Sequence, residues 1–183
     1  MSFKSGFVAL IGKPNVGKST LLNTILAKKI AIATPKPQTT RDNIRGILTT
    51  KDTQIVFIDT PGIHKPKSKL NKVMVQSAYI AAKEADIILF LIDATKGYAK
   101  SDQIIAENIR HIEKPKLLII NKIDKLTTRE LIEFLKDINT DEYDEIIPLS
   151  ALRNKNIDEL INTVKSYLHD EIPADPTKGL MRF

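Results

Sequence analysis

Residues 87–92 of this chain are six consecutive apolar side chains, Ile-Ile-Leu-Phe-Leu-Ile, closed off by Asp86 and Asp93. Side chains alternate between the two faces of a strand, so a strand apolar at every position needs cover on both faces. A mostly parallel sheet flanked by helices provides that cover. Leu117–Ile120 repeats the pattern, and strand-like runs recur at Phe7–Ile11, Ile44–Leu48, Gln54–Ile58 and Glu145–Leu149. Between them lie helical spacings: Leu21, Leu22, Ile25 and Leu26; Val73–Ala82; Ile104–Ile112; Leu131–Ile138; and Ile157–Leu168. Thr127-Thr128-Arg129-Glu130 reads as a capping box ahead of the fourth helix, and Asn156 as the cap of the fifth. The alternation predicts an α/β domain: a six-stranded, mostly parallel sheet with helices on both faces. Ile44–Leu48 and Gln54–Ile58 have only a turn at Thr50–Thr53 between them, so one strand of that pair is expected to run antiparallel.

Open sheets of this kind bind ligands beyond the C-terminal ends of their strands, and the chemistry-bearing motifs follow the runs ending at Ile11, Ile58, Ile120 and Leu149. Gly12-Lys13-Pro14-Asn15-Val16-Gly17-Lys18-Ser19 matches G-x-x-x-x-G-K-[ST] between a strand and a helix. Its glycines let backbone N–H groups turn inward around phosphate oxygens, and the helix dipole adds partial positive charge. Lys18 is placed to reach β- and γ-phosphates, and the Ser19 hydroxyl to ligate Mg²⁺.

Asn121-Lys122-Ile123-Asp124 opens the loop after Leu117–Ile120. A carboxylate there accepts two hydrogen bonds from the N1–H and N2–H₂ edge of guanine. Adenine has no donor at N1, and an unpaired buried polar group costs about 1–3 kcal/mol, more when charged. Asp124 therefore points to guanine. Asp59-Thr60-Pro61-Gly62 closes another strand, with a carboxylate suited to Mg²⁺ and a glycine whose amide can approach a γ-phosphate. Thr39 and Thr40 lie in the polar segment 34–43, where a threonine can complete a Mg²⁺ shell and sense the γ-phosphate. Ser150 and Ala151 follow the last strand, where a backbone N–H can donate to guanine O6.

The 183 residues suffice for one domain, and 42% apolar with 27% charged is the balance of a water-soluble globular chain. The absence of cysteine excludes disulfides and thiolate metal sites and agrees with a cytoplasmic setting. The charge is lopsided: residues 1–83 carry 14 Lys/Arg against 3 Asp, a balance of +11, and residues 84–183 carry 14 against 19, a balance of −5. A basic half suits a polyanionic partner, either nucleotide phosphates or RNA, although solvated surface lysines give the same count.

Gly12–Ser19, Thr40, Asp59–Gly62, Asn121–Asp124 and Ser150–Ala151, in that order, resemble the five motifs of translation-factor-class GTPases, and thus a Ras-like P-loop GTPase domain. Pro37-Gln38-Thr39-Thr40-Arg41-Asp42 and Asp59-Thr60-Pro61-Gly62-Ile63-His64-Lys65-Pro66-Lys67, with Asn71 and Met74 beyond, are similar to the Era family of ribosome-assembly GTPases. The resemblance implies GTP/GDP binding with Mg²⁺ and slow hydrolysis of GTP. It assigns Gly12, Lys13, Pro14, Asn15, Val16, Gly17, Lys18, Ser19, Thr20, Asp59, Thr60, Pro61, Gly62, Asn121, Lys122, Asp124, Ser150, Ala151 and Leu152 to the nucleotide. Lys18, Thr40, Gly62 and Asn15 would serve catalysis, and Ser19, Thr40 and Asp59 would hold Mg²⁺. Asn121 would tie the base loop to the phosphate loop, and Lys122 would lie along the base. Ile63 stands where Ras-like enzymes carry a water-orienting Gln, and the resemblance then implies a K⁺ ion held partly by Asn15. It also implies a monomer that engages the small ribosomal subunit and its 16S rRNA through a C-terminal KH domain. Residues 1–171 are then the GTPase domain and 172–183 a linker towards that KH domain. Two other readings stay open: a stand-alone GTP hydrolase, and a GTPase held peripherally at the inner membrane face through Lys65, Lys67, Lys69 and Lys72.

Overall fold

In a computed structural model, which describes residues 3–28, 44–59 and 67–170, the expected strands and helices form one sheet with helices on both faces. The strands are β1 (Lys4–Ile11), β2 (Ile44–Thr49), β3 (Thr53–Asp59), β4 (Ile87–Asp93), β5 (Lys116–Asn121), β6 (Glu145–Pro148) and β7 (His169–Asp170). The helices are α1 (Lys18–Lys28), α2 (Lys67–Glu84), α3 (Lys100–Ile109), α4 (Thr128–Lys136) and α5 (Ile157–Tyr167). The sheet order is β2-β3-β1-β4-β5-β6, parallel throughout except for the β2–β3 hairpin and β7.

The central strand β4 is buried along its whole length. Burying a large apolar side chain is worth about 1.5–3 kcal/mol, so residues 87–92 alone contribute on the order of 10 kcal/mol before conformational entropy is counted. Its alternation divides the core. Ile87, Leu89 and Leu91 face Leu21 and Ile25 of α1 and Leu160, Ile161 and Val164 of α5. Ile88, Phe90 and Ile92 face Ala78, Ala81 and Ala82 of α2, Ile105 and Ile109 of α3, and Phe134 of α4. The alanines let α2 approach the sheet closely.

The sheet has seven strands where six were expected. β4 pairs with β1 only from Val8 onward, which leaves the β1 edge at Lys4 and Ser5 for Asp170 and His169, running antiparallel. β1 begins at Lys4 rather than Phe7 because residues 4–6, though polar or small, pair with residues 53–55 of β3. Asn156 occupies the N-cap position of α5 as expected, but its side chain does not cap the helix. It adopts a left-handed conformation, φ 61°, with no side-chain cap bond, and its Nδ2 donates instead to the Pro148 carbonyl at 2.8 Å. The capping box of α4 is present: Thr127 Oγ1 accepts from the Glu130 amide, and the Glu130 carboxylate accepts from the Thr127 amide at 2.7 Å.

α2 begins six residues before the expected Val73, because residues 67–72 extend the helix without adding an apolar stripe. Its far end is fastened: the Lys114 ammonium donates to the Lys83 carbonyl at 2.6 Å and to the Ala85 carbonyl. Among the described residues no helix is long and apolar enough to cross a membrane.

Candidate nucleotide-binding site

Strand register brings the motifs to one edge. Leu10, two residues before the phosphate loop, pairs with Asp59 at the end of β3. Asp93 at the end of β4 pairs with Asn121 at the end of β5. Ile120 pairs with Pro148, so the turn at Ser150 lies beside the Asn121 loop.

Within the phosphate loop the carbonyl oxygens have partners on the protein side. Lys18 Nζ donates to the Gly12 and Lys13 carbonyls, both at 2.8 Å. Lys122 Nζ donates to the Asn15 carbonyl at 2.8 Å, Asn121 Nδ2 to the Val16 carbonyl at 2.9 Å, and the Leu21 amide to the Gly17 carbonyl at 2.8 Å. A peptide plane sends its N–H and C=O in opposite directions, so each engaged carbonyl fixes the direction of the amide that follows it. Two positions enforce the path. Gly17 has φ +105° and passes so close to Asn121 that an added Cβ would sit 2.1 Å from its Nδ2. Asn15, with φ 63°, turns the exposed crest of the loop. Pro14, Ser19 and Thr20 are also exposed.

Asn121 is the hub. It is 2% exposed; besides its bond to Val16, its Oδ1 accepts the Lys122 amide at 2.8 Å and the Ala151 amide at 3.0 Å. Thr24 Oγ1 of α1 adds a bond to the Ala151 carbonyl at 2.9 Å. Asp124 is exposed, and its carboxylate is oriented by Ser150 Oγ, 2.7 Å from Oδ1; the same hydroxyl accepts the Arg153 amide at 3.1 Å. Leu152, 69% exposed, extends apolar surface beside this turn. The Ala151 amide, expected to be available for O6, is already directed at Asn121 Oδ1, and the Ser150 amide is taken by the Lys155 carbonyl at 3.2 Å.

Two carboxylates that sequence reasoning did not assign support this edge. Asp93, 5% exposed, accepts Lys122 Nζ at 2.6 Å on Oδ2, while Oδ1 accepts the Thr95 amide at 2.9 Å and hydroxyl at 2.6 Å. Burial pushes the Asp93 carboxyl upward, but its bonds from Lys122 and Thr95 outweigh that and hold it below the usual carboxylate range. Asp102, 1% exposed, accepts Lys13 Nζ at 2.7 Å and the Ala99 amide at 3.0 Å. The available signal was an aspartate closing a buried strand and another in the first turn of a helix, neither of which specifies a partner.

The segment holding Thr39 and Thr40, the stretch from Thr60 to Pro66 with Gly62, Ile63, His64 and Lys65, and the expected linker 172–183 lie outside the described residues, as do the side chains of Asp59, Lys67, Lys69, Asn71 and Met74. Among the described residues no group of three or more His, Cys, Asp or Glu is placed to hold a metal ion.

A sequence profile of the 50S ribosome-binding GTPases matches residues 7–122. The chain belongs to that family. Within it, the chain is similar to Era GTPases: GTPase Era of Clostridioides difficile (strain 630) is 48% identical over 170 residues, 92% of this chain and 57% of the relative. A crystal structure of Era in complex with MgGDPNP and nucleotides 1506–1542 of 16S ribosomal RNA aligns with TM-score 0.77 at 43% identity, over 96% of this chain and 60% of that one. A point variant of Aquifex aeolicus Era bound to GDP·AlF4⁻ aligns with TM-score 0.76 at 43% identity, over 97% and 61%. The fold of this family member is thus the Ras-like P-loop GTPase fold, and the chain spans about 57–62% of the length of the curated relatives it matches.

Proposed function

We propose that this chain binds GTP and GDP with Mg²⁺, hydrolyses GTP slowly to GDP and phosphate, and acts as a nucleotide-controlled switch in small-subunit assembly. The reading rests above all on Asp124, held by Ser150 beside a phosphate loop whose carbonyls are engaged by Lys18, Lys122 and Asn121. Asp124 accepts N1–H and N2–H₂ of guanine. O6 accepts from the Ala151–Leu152 turn, the Ala151 N–H being shared between O6 and Asn121 Oδ1. Leu152 and the Lys122 stem flank the ring.

The loop amides and Lys18 hold the phosphates; Gly62 donates its amide to the γ-phosphate, and water attacks in line on the γ-phosphorus. Ser19, Thr40 and Asp59 would supply an all-oxygen donor set suited to a hard cation, and Mg²⁺ held by them would neutralise charge on the phosphates. With Ile63 unable to orient water, a K⁺ ion held partly by Asn15 would add positive charge. The Era complex with a 16S rRNA segment supports small-subunit rRNA in the cytoplasm as the partner of the whole protein, and the GTP-dependent segments 34–43 and 61–72 as the parts that report nucleotide state. The curated and structural relatives favour this reading over a stand-alone hydrolase.

Isothermal titration of GDP, XDP and ADP into the wild type and Asp124→Asn tests the base reading. Hydrogen bonds to a charged group are worth about 1.5–3 kcal/mol each, so Asp124→Asn should weaken GDP binding by about 10²-fold or more and erase the preference over XDP. Equal affinities of the wild type for GDP and ADP would refute it.

A further inference from the structure

We infer that Asp102 is a positioning residue of the phosphate loop, acting through Lys13 on the two carbonyls that hold the Lys18 ammonium; this rests on the nucleotide reading above. Asp102 belongs to the first turn of α3, outside the motifs singled out in the sequence. Its carboxylate is 1% exposed, and Oδ1 makes no hydrogen bond among the described residues, so Lys13 on Oδ2 is the cation that balances a buried charge. A buried carboxylate of this kind holds its counter-ion firmly, because the alternative is an unpaired charge away from water.

Lys13 is thereby fastened at both ends. Its ammonium is fixed on α3, and its backbone precedes Pro14, which restricts residue 13 to extended conformations. This narrows the range of directions open to the Lys13 carbonyl, and that carbonyl, with Gly12's, receives Lys18 Nζ at 2.8 Å. α3 therefore sets where the phosphate-contacting lysine rests before nucleotide arrives. Fixing such a group in advance removes reorganisation from binding and from the transition state.

Release of N-methylanthraniloyl-GDP from the 183-residue chain, chased with excess GDP, tests this. Asp102→Asn and Lys13→Met should each speed release about 10-fold, in proportion to a small misplacement of a contacting group. The double variant should be no faster than either single one, because both break the same link. Lys13→Arg should restore slow release. A release rate unchanged in folded Asp102→Asn, or effects that multiply in the double variant, would overturn the inference and leave the nucleotide reading standing. If Asp102→Asn does not fold, unchanged release in folded Lys13→Met overturns it equally. A wild type that does not bind the probe overturns the nucleotide reading, and this inference with it.

Discussion

Replacing Asn121 by alanine removes three hydrogen bonds at once, to the Val16 carbonyl and from the amides of Lys122 and Ala151. Their partners differ in access to water. Val16 and Ala151 are 2% and 1% exposed, whereas Lys122 is half-buried and its amide can be hydrated. A buried backbone group left unsatisfied costs about 1–3 kcal/mol, so two such groups and the vacated volume amount to about 3–5 kcal/mol. Against a total stability of about 5–15 kcal/mol this is a large share. For a domain of this size each kcal/mol moves Tm by about 2–4 °C, which puts the expected fall near 10 °C. Scanning calorimetry without nucleotide is the assay, because the argument concerns the empty fold. A fall of less than about 2 °C would show that water satisfies the freed groups and that Asn121 is no hub of the resting structure.

The exposed Asp52 carboxyl is pulled down from 3.8 to about 2 by hydrogen bonds from Thr50 and Lys165 and by the nearby Lys165 charge. Its contribution is therefore complete above its unfolded pKa and lost as pH falls through about 2, so Asp52→Asn should destabilise near neutrality but flatten the decline between pH 4 and 2 in urea melts. Thr127→Ala breaks the capping box of α4 and should cost about 1 kcal/mol, read as a Tm lower by about 2–4 °C. GTP turnover should fall when K⁺ is exchanged for Na⁺ in the wild type and become indifferent to that exchange in Asn15→Asp; unchanged turnover in both cases removes K⁺ from the mechanism.

The elements that were legible in the sequence are those whose signal is local. β4 and β5 announce themselves as short apolar runs, and Thr127–Glu130 carries its hydrogen bonds within four residues. The seventh strand did not, because His169 and Asp170 are polar and exposed and join the sheet only where β4 leaves the β1 edge open. Asn156 looked like a cap by residue type, but left-handed backbone is also open to asparagine, and tertiary packing turned its side chain to Pro148. At the candidate site the phosphate loop, Asn121–Asp124 and Ser150–Ala151 could be placed together from spacing alone, since each follows a strand end. The carboxylates of Asp93 and Asp102 could not, because their partners, Lys122 and Lys13, lie 29 and 89 positions away and depend on strand register and helix packing. The Ala151 amide shows the same limit: the dipeptide names a turn, but not which acceptor its N–H meets.

The fastening of Lys114 to the last carbonyls of α2 gives that helix a pivot. Eighteen residues at 1.5 Å each make a rod of about 27 Å. With one tip clamped at the Ala85 corner, a tilt of about 10° displaces the opposite tip by about 5 Å and the clamped tip hardly at all. The clamp lies at the C-terminal end of α2, so any such tilt would be felt most at Lys67, which follows Asp59 by only eight positions in the chain.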